Sequence, residues 1–219
     1  MATTILNTGT ASGSSTGGTL TVSSFNAGAT VKSVFVLFAQ DVNQTGSINT
    51  TSATFGGENL VKLSEIGVSG DHWVAIWGLN NPSSTSGDLV VNYTNTGVQS
   101  IICCASSNGY IQNSFLHIED VIEFGALSFP PNSLGVCSIG SRTAGALSPT
   151  NATKVIENNQ SSSYASIATV NTLSVGRTVV DWNTSGLTSV SFMLLSSVDP
   201  ALIGIDPRGD IISHDIITN

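Results

Sequence analysis

The pattern of apolar residues constrains the fold more than any other feature of this sequence. Apolar residues occur in short blocks separated by clusters of Gly, Ser, Thr, Asn and Pro, and the apolar spacing of helices is nearly absent. This texture is typical of many short antiparallel strands. The segment 118–124 is predicted as either a strand or a single helical turn. Strands are predicted at 31–40, 53–55, 60–63, 72–79, 88–94, 100–105, 134–139, 164–170, 178–182 and 189–196.

The clearest strand, Val31 to Gln40, is apolar on both of its alternating faces, with Val34 and Val36 on one and Phe35 on the other. It is therefore predicted to be a central strand. No break in composition marks a domain boundary, and β domains of this length commonly form one unit. We predict an all-β, single-domain antiparallel β-sandwich of jelly-roll type over residues 1–198.

Two terminal segments differ from the rest of the chain. Residues 1–19 are rich in Thr, Gly and Ser, which suits an edge strand or a flexible arm. Residues 199–219 form an acidic tail, predicted to be either a solvated end or an arm that reaches a neighbouring molecule. The residues proposed for assembly in this tail are Asp199, Asp206, Arg208, Asp210 and Asp215.

The charge of the chain excludes several classes of protein. Only 9% of residues are charged, and six Lys and Arg stand against 14 Asp and Glu, for a formal net charge of −8. Such a chain has no basic surface for phosphate, so nucleic acid is not predicted as a partner. With 40% hydrophobic residues it is not predicted to be disordered either.

The scarcity of Lys and Glu predicts contact with other molecules. These residues lose the most side-chain entropy on immobilisation and are depleted in protein interfaces. Edge strands of monomers usually carry Lys or Pro, which blocks sheet extension, and this chain has few of either. We therefore predict a homo-oligomer whose surfaces are covered by neighbours.

The cysteines and the apolar runs indicate where the chain is made. Cys103 and Cys104 are adjacent, so on a strand they point to opposite faces, and with Cys137 they make an odd number. We predict three buried free thiols rather than disulfides, which fits synthesis in a reducing cytosol. No signal peptide is predicted, since the N-terminal residues show no basic stretch followed by a long apolar run. No membrane span is predicted, since the longest strongly apolar run, Val34–Ala39, is far shorter than the roughly 20 residues that a spanning helix needs.

No residue pattern predicts catalysis. The histidines His72, His117 and His214 lie in no nucleophile motif and are predicted to be surface or hydrogen-bonded residues. Carboxylates for glycoside hydrolysis are few and have no supporting motif. The chain is therefore predicted not to be an enzyme. The candidate carboxylates are Glu58, Glu65, Glu119 and Glu123.

One segment resembles the start of a calcium loop. Asp41, Asn43 and Thr45 alternate before Gly46, which would direct oxygen ligands toward a hard cation. The twelfth position is Ser52 rather than a bidentate Glu, and the flanks are predicted strands rather than helices. A turn between two strands is the preferred interpretation and calcium the alternative; no other metal or cofactor is predicted.

Three tryptophans remain as candidate ligand contacts. Trp73 and Trp77 are four residues apart on a predicted strand and therefore share a face, and Trp182 lies on a late strand. Exposed aromatic rings would stack on sugars, whereas buried rings would form core. The core interpretation is preferred, because Ala75 and Leu79 continue the apolar face.

Three segments resemble a known module. Phe55–Leu63 contains a Gly-Gly hairpin, Val74–Pro82 reads V-A-I-W-G-L-N-N-P, and Gly87–Tyr93 reads G-D-L-V-V-N-Y. Together they resemble a β-sandwich module of phage structural proteins and bacterial surface proteins, over residues 30–105. The resemblance implies a structural or adhesive role and supplies no catalytic residues.

These observations predict a structural protein of a virus particle. The expected roles are capsid, decoration or tail protein of a phage, made in the host cytosol, located in the virion and bound to other virion proteins. The alternative is a glycan-binding or adhesion module of a phage tail or bacterial surface.

Overall fold

A computed structural model gives the fold of the protein. Some side chains at the ends of strands, and those of residues 113–117 and 121–124, lie outside the description. The structure describes residues 2–14, 18–41, 50–68, 72–94, 99–117, 121–124, 132–141, 148–160, 163–170, 178–182 and 188–199.

Every regular element in these ranges is a β-strand. The strands are β1 (Ile5–Ser14), β2 (Gly18–Asn26), β3 (Ser33–Asp41), β4 (Thr50–Phe55), β5 (Glu58–Asn59), β6 (Val61–Val68), β7 (His72–Asn80), β8 (Ser86–Tyr93), β9 (Gln99–Ser107), β10 (Tyr110–His117), β11 (Val121–Phe124), β12 (Leu134–Ser141), β13 (Ala152–Gln160), β14 (Ser163–Val170), β15 (Thr178–Asp181) and β16 (Thr188–Ser196).

The strands form three large sheets and one small ribbon. The central sheet has the order β1-β9-β3-β7-β6. The first flanking sheet has the order β2-β8-β4-β5, and the second flanking sheet has the order β10-β16-β12-β14-β13. Strands β11 and β15 form a two-stranded ribbon. All recorded strand pairs are antiparallel.

The central sheet is buried on both faces because its strands are apolar on both faces. Along β3, Val36 and Phe38 join a core shared with the first flanking sheet. Phe35 and Leu37 join a second core shared with the second flanking sheet. The sheets are therefore stacked in layers, with the central sheet in the middle.

A third core covers the outer face of the second flanking sheet. It contains Tyr164 and Phe192 of that sheet, together with Val180 of the ribbon and Trp182 just after it. Tyr164 and Trp182 are among the largest fully buried side chains of the described residues. The ribbon thus closes a face that would otherwise expose these rings.

The structure confirms the predicted fold class, an all-β antiparallel sandwich. The central strand predicted at 31–40 is β3, which is buried throughout. Of the two interpretations of residues 1–19, the edge strand is the one observed, as β1 and the start of β2. Residues 121–124 form strand β11 rather than a helical turn. Among the described residues, no helix has the length and apolar character needed to cross a membrane.

Candidate functional site: the edges of the central sheet

The prediction that the tryptophans belong to the core is confirmed for two of the three. Trp182 is fully buried and Trp77 is 6% exposed, whereas Trp73 is half-buried. Trp73 and Trp77 lie on one face of β7, as predicted, and the Trp77 indole donates a hydrogen bond to Thr50 Oγ1 at 3.0 Å. Two of the three rings therefore contribute to packing rather than to a surface platform.

The calcium candidate is described at one residue. Asp41 is buried at the end of β3, and its backbone N–H donates to Ser163 Oγ at 3.0 Å. Asn43 and Thr45 lie outside the described residues. Within the described part of the chain, no group of three His, Cys, Asp or Glu side chains is placed to hold a metal ion.

The predicted assembly tail also lies mostly outside the description. Asp199 is described, and its Oδ2 accepts a hydrogen bond from Asn81 Nδ2 at 3.2 Å. This contact fixes the start of the tail beside the end of β7. The tail residues outside the described ranges are Asp206, Arg208, Asp210 and Asp215.

One histidine forms a buried pair with a serine. His72 Nε2 and Ser189 Oγ are 2.7 Å apart, and both residues are fully buried. A hydroxyl beside an imidazole is the arrangement of an activated nucleophile, but a nucleophile must also reach its substrate. In this buried arrangement the bond joins β7 of the central sheet to β16 of the second flanking sheet. The His117 side chain and His214 lie outside the description.

The three cysteines are free and buried, as predicted. Cys104 faces the first core and Cys103 the second, so the adjacent pair does point to opposite faces. Burial raises the pKa of the Cys103 thiol, and raises that of Cys104 and Cys137 to about 12. These thiols therefore stay protonated and unreactive at neutral pH.

The edge strand β6 carries charge, and we call it the charged edge. Lys62 Nζ lies 2.6 Å from Glu65 Oε2 and 5.1 Å from the centre of the Trp77 ring. Glu65 Oε1 accepts hydrogen bonds from the backbone N–H and the hydroxyl of Thr50, at 2.9 and 2.8 Å. Burial would raise the pKa of the Glu65 carboxyl, but the hydrogen bonds from Lys62 and Thr50 outweigh burial and lower it.

The far edge of the second flanking sheet carries a similar pair. On β13, Lys154 Nζ lies 2.6 Å from Glu157 Oε2, three residues further along the strand. The hydrogen bond from Lys154 lowers the pKa of Glu157, and the Tyr164 hydroxyl adds a second one at 3.0 Å. Two of the three lysines of the chain thus lie on edge strands, the position where Lys discourages pairing with another sheet.

The opposite edge of the central sheet is β1, which we call the uncharged edge. Its ten residues, ILNTGTASGS, include no charged residue and no Pro. After a register shift between Ile5 and Asn7, the pairing with β9 continues without interruption from Asn7 to Ser14. Alternate residues of such an edge direct their N–H and C=O groups away from the sheet.

Small residues shape the two faces of the uncharged edge. Thr8, Thr10 and Ser12 are exposed on one face. Gly9 and Gly13 lie on the other, where a Cβ at Gly9 would be 2.8 Å from Val22 Cγ1 and one at Gly13 would be 2.9 Å from Leu20 Cδ2. From Thr8 to Gly13 the edge therefore carries only small side chains, and its exposed face is polar.

The chain before β1 is anchored, which positions this edge. The Asn108 side chain accepts from Thr4 N–H at 2.7 Å and donates to Ala2 O at 3.1 Å. Ser107 Oγ donates to Thr4 O at 2.8 Å. At the middle of the strand, Asn158 Nδ2 donates to Ala11 O at 2.9 Å. Sequence reasoning missed these anchors, although Asn108-Gly109 is the kind of dipeptide that marks a turn.

Comparison of the chain with known protein families, with curated proteins and with solved structures finds no match.

Proposed function

We propose that this chain is a non-enzymatic structural protein of a virus particle that associates with copies of itself and with other virion proteins. The role would be that of a phage capsid, decoration or tail protein, made in the host cytosol. The proposal rests on the resemblance of residues 30–105 to modules of phage structural proteins, and on one structural observation, the uncharged edge.

That observation supports self-association because edge strands of monomers are normally protected. The charged edge and β13 have Lys and Glu, and β5 is only two residues long. The uncharged edge, by contrast, offers eight consecutive residues in regular register, Asn7–Ser14, with no charge. An edge of this kind is a template for a further strand.

The buried groups support a scaffold role as well. The His72–Ser189 pair and the three thiols are enclosed between sheets, where they stabilise the stack. Buried free thiols also suit a protein assembled in a reducing cytosol.

A glycan-binding module is the second candidate, and the aromatic residues favour it less. A sugar platform needs exposed rings, whereas Trp77 and Trp182 are buried and Trp73 is half-buried over Gly67.

The experiment combines light scattering with particle analysis. Size-exclusion chromatography with light scattering on the purified chain should give an oligomer, and mass spectrometry of virus particles purified from cells that produce the chain should detect it. A chain that remains monomeric at its highest soluble concentration and is missing from particles overturns the proposal. Specific retention on a glycan array by such a monomer would establish the second candidate instead.

A further inference from the structure

Among the described edge strands longer than four residues, two besides β1 lack a Lys–Glu pair, and each is interrupted. Strand β2 has a register shift between Val22 and Phe25, where Ser24 has a positive φ of 51° and donates its N–H to Asp88 Oδ1. Strand β10 shifts register between Ile111 and Asn113. Bulges at sheet edges twist the strand and hinder pairing with another sheet.

Strand β1 has its register shift at its first residues, so its regular part is longer than that of the other edges. We infer that β1 of one copy pairs antiparallel with β1 of a second copy around a twofold axis. The two five-stranded central sheets then form one continuous sheet across the dimer. This inference rests on the proposed self-association and identifies the surface that performs it.

The charge distribution identifies the second copy as the occupant. Each copy has a net charge of −8, so most approaches of two copies are repulsive. Residues 5–14 contain no charge, so identical strands can lie side by side there without placing like charges opposite each other. A twofold contact uses the same surface on both copies, which a neutral strand satisfies with itself.

The exposed hydroxyls suggest the register. In an antiparallel pair, residues directly opposite each other lie on the same face of the sheet. A twofold axis at Thr10 places Thr10 opposite its own copy and Thr8 opposite Ser12 of the partner subunit. All three side chains are exposed in the single chain, and cross-strand Thr–Thr and Thr–Ser pairs form hydrogen bonds.

Disulfide trapping tests this register directly. Thr10→Cys should crosslink with itself under mild oxidation, whereas Thr8→Cys and Ser12→Cys should crosslink poorly alone and efficiently when the two variants are mixed. The three native thiols are fully buried and give no background. Thr153→Cys, an exposed position on β13, is the matched control and should stay uncrosslinked.

A charge substitution supplies the second measurement. Thr10→Lys places two like charges opposite each other at the axis and should raise the dimer Kd by about tenfold or more, with the melting temperature of the monomer unchanged. Thr153→Lys should leave the Kd as it is.

If the wild-type chain dimerises but Thr10→Cys does not crosslink and Thr10→Lys stays dimeric, the β1 pairing is overturned and the proposed function stands. A wild-type chain that is monomeric overturns the β1 pairing, and it overturns the proposed function as well if the chain is also missing from virus particles.

Discussion

The two edges of the central sheet are built in opposite ways. The charged edge has the partly buried Lys62–Glu65 ion pair, and Trp73 lies against its Gly67. The uncharged edge has only neutral residues, and a Cβ added at Gly9 or Gly13 would meet Val22 Cγ1 or the terminal Cδ2 of Leu20. One edge thus carries an ion pair and packs against an indole ring, and the other is regular and neutral. The difference indicates that pairing is blocked on one side of the sheet and permitted on the other.

The largest expected difference between the edges concerns their glycines. A Cβ at Gly67 would overlap the bulky ring of Trp73, so the ring or the backbone of β6 would have to shift. Gly67→Ala should therefore lower the free energy of unfolding by about 3 kcal/mol. At Gly13 the nearest atom is the terminal Cδ2 of Leu20, so Gly13→Ala should change it by less than about 1 kcal/mol.

Urea unfolding of both variants, followed by tryptophan fluorescence, measures these energies. Equal losses at the two positions would contradict the distinction between a rigid edge and a tolerant one. Gly13→Ala should also leave the dimer intact, because its added methyl points toward the first core rather than toward the partner.

The second difference concerns the two Lys–Glu pairs. Glu65 is 15% exposed at its side chain and accepts hydrogen bonds from Lys62 and from two donors of Thr50. Glu65→Ala leaves these donors without their acceptor and should cost about 2 kcal/mol of stability. Glu157 is 35% exposed, so water replaces more of its contacts, and Glu157→Ala should cost less than about 1 kcal/mol.

Thermal and urea unfolding of the two alanine variants check this order. A larger loss for Glu157→Ala would show that the exposed pair on β13, and not the charged edge, holds its strand more firmly. The lysine variant Lys62→Met, which keeps most of the side-chain length, serves as a control for the ion pair alone.

The sequence predicted the strands of the interior better than those of the edges. Strand β3 was recognisable because Phe35, Val36 and their neighbours are apolar on both faces. Strands β5, β10 and β13, and β2 beyond residue 19, were not predicted. Most of the β2 and β13 side chains remain partly or fully exposed, so no apolar alternation marks those strands.

The candidate site was beyond sequence reasoning for a related reason. Whether a strand lies at an edge depends on which strands pair, and β1 pairs with β9, some ninety residues away along the chain. The scarcity of Lys and Glu could be read from composition, but the placement of Lys62 and Lys154 on edge strands required the sheet order. Similarly, His72 and Ser189 are 117 residues apart and meet because two sheets pack face to face.

The smallest expected effect is the pH dependence of the stability that Glu65 contributes at the charged edge. Because the pKa of Glu65 in the folded protein is lowered from its ordinary value of 4.5, the folded state binds fewer protons than the unfolded state in acid. The stabilisation from Glu65 is therefore fully present above that value and is lost as the pH falls below it. The stability difference between the wild type and Glu65→Gln should be largest at pH 7 and shrink toward pH 3.

Urea unfolding of the wild type and of Glu65→Gln at a series of pH values measures this difference, and subtraction removes the contributions of the other carboxyls. Glu157→Gln is the matched control. The pKa of Glu157 is also lowered, so the stability difference between the wild type and Glu157→Gln should also shrink as the pH falls. The change should be smaller than for Glu65, because Glu157 is more exposed. If the stability difference between the wild type and Glu65→Gln stays constant from pH 7 to pH 3, the contacts of Glu65 with Thr50 and Lys62 do not depend on the charge of the Glu65 carboxyl. The charged edge would then differ from the uncharged edge by packing alone.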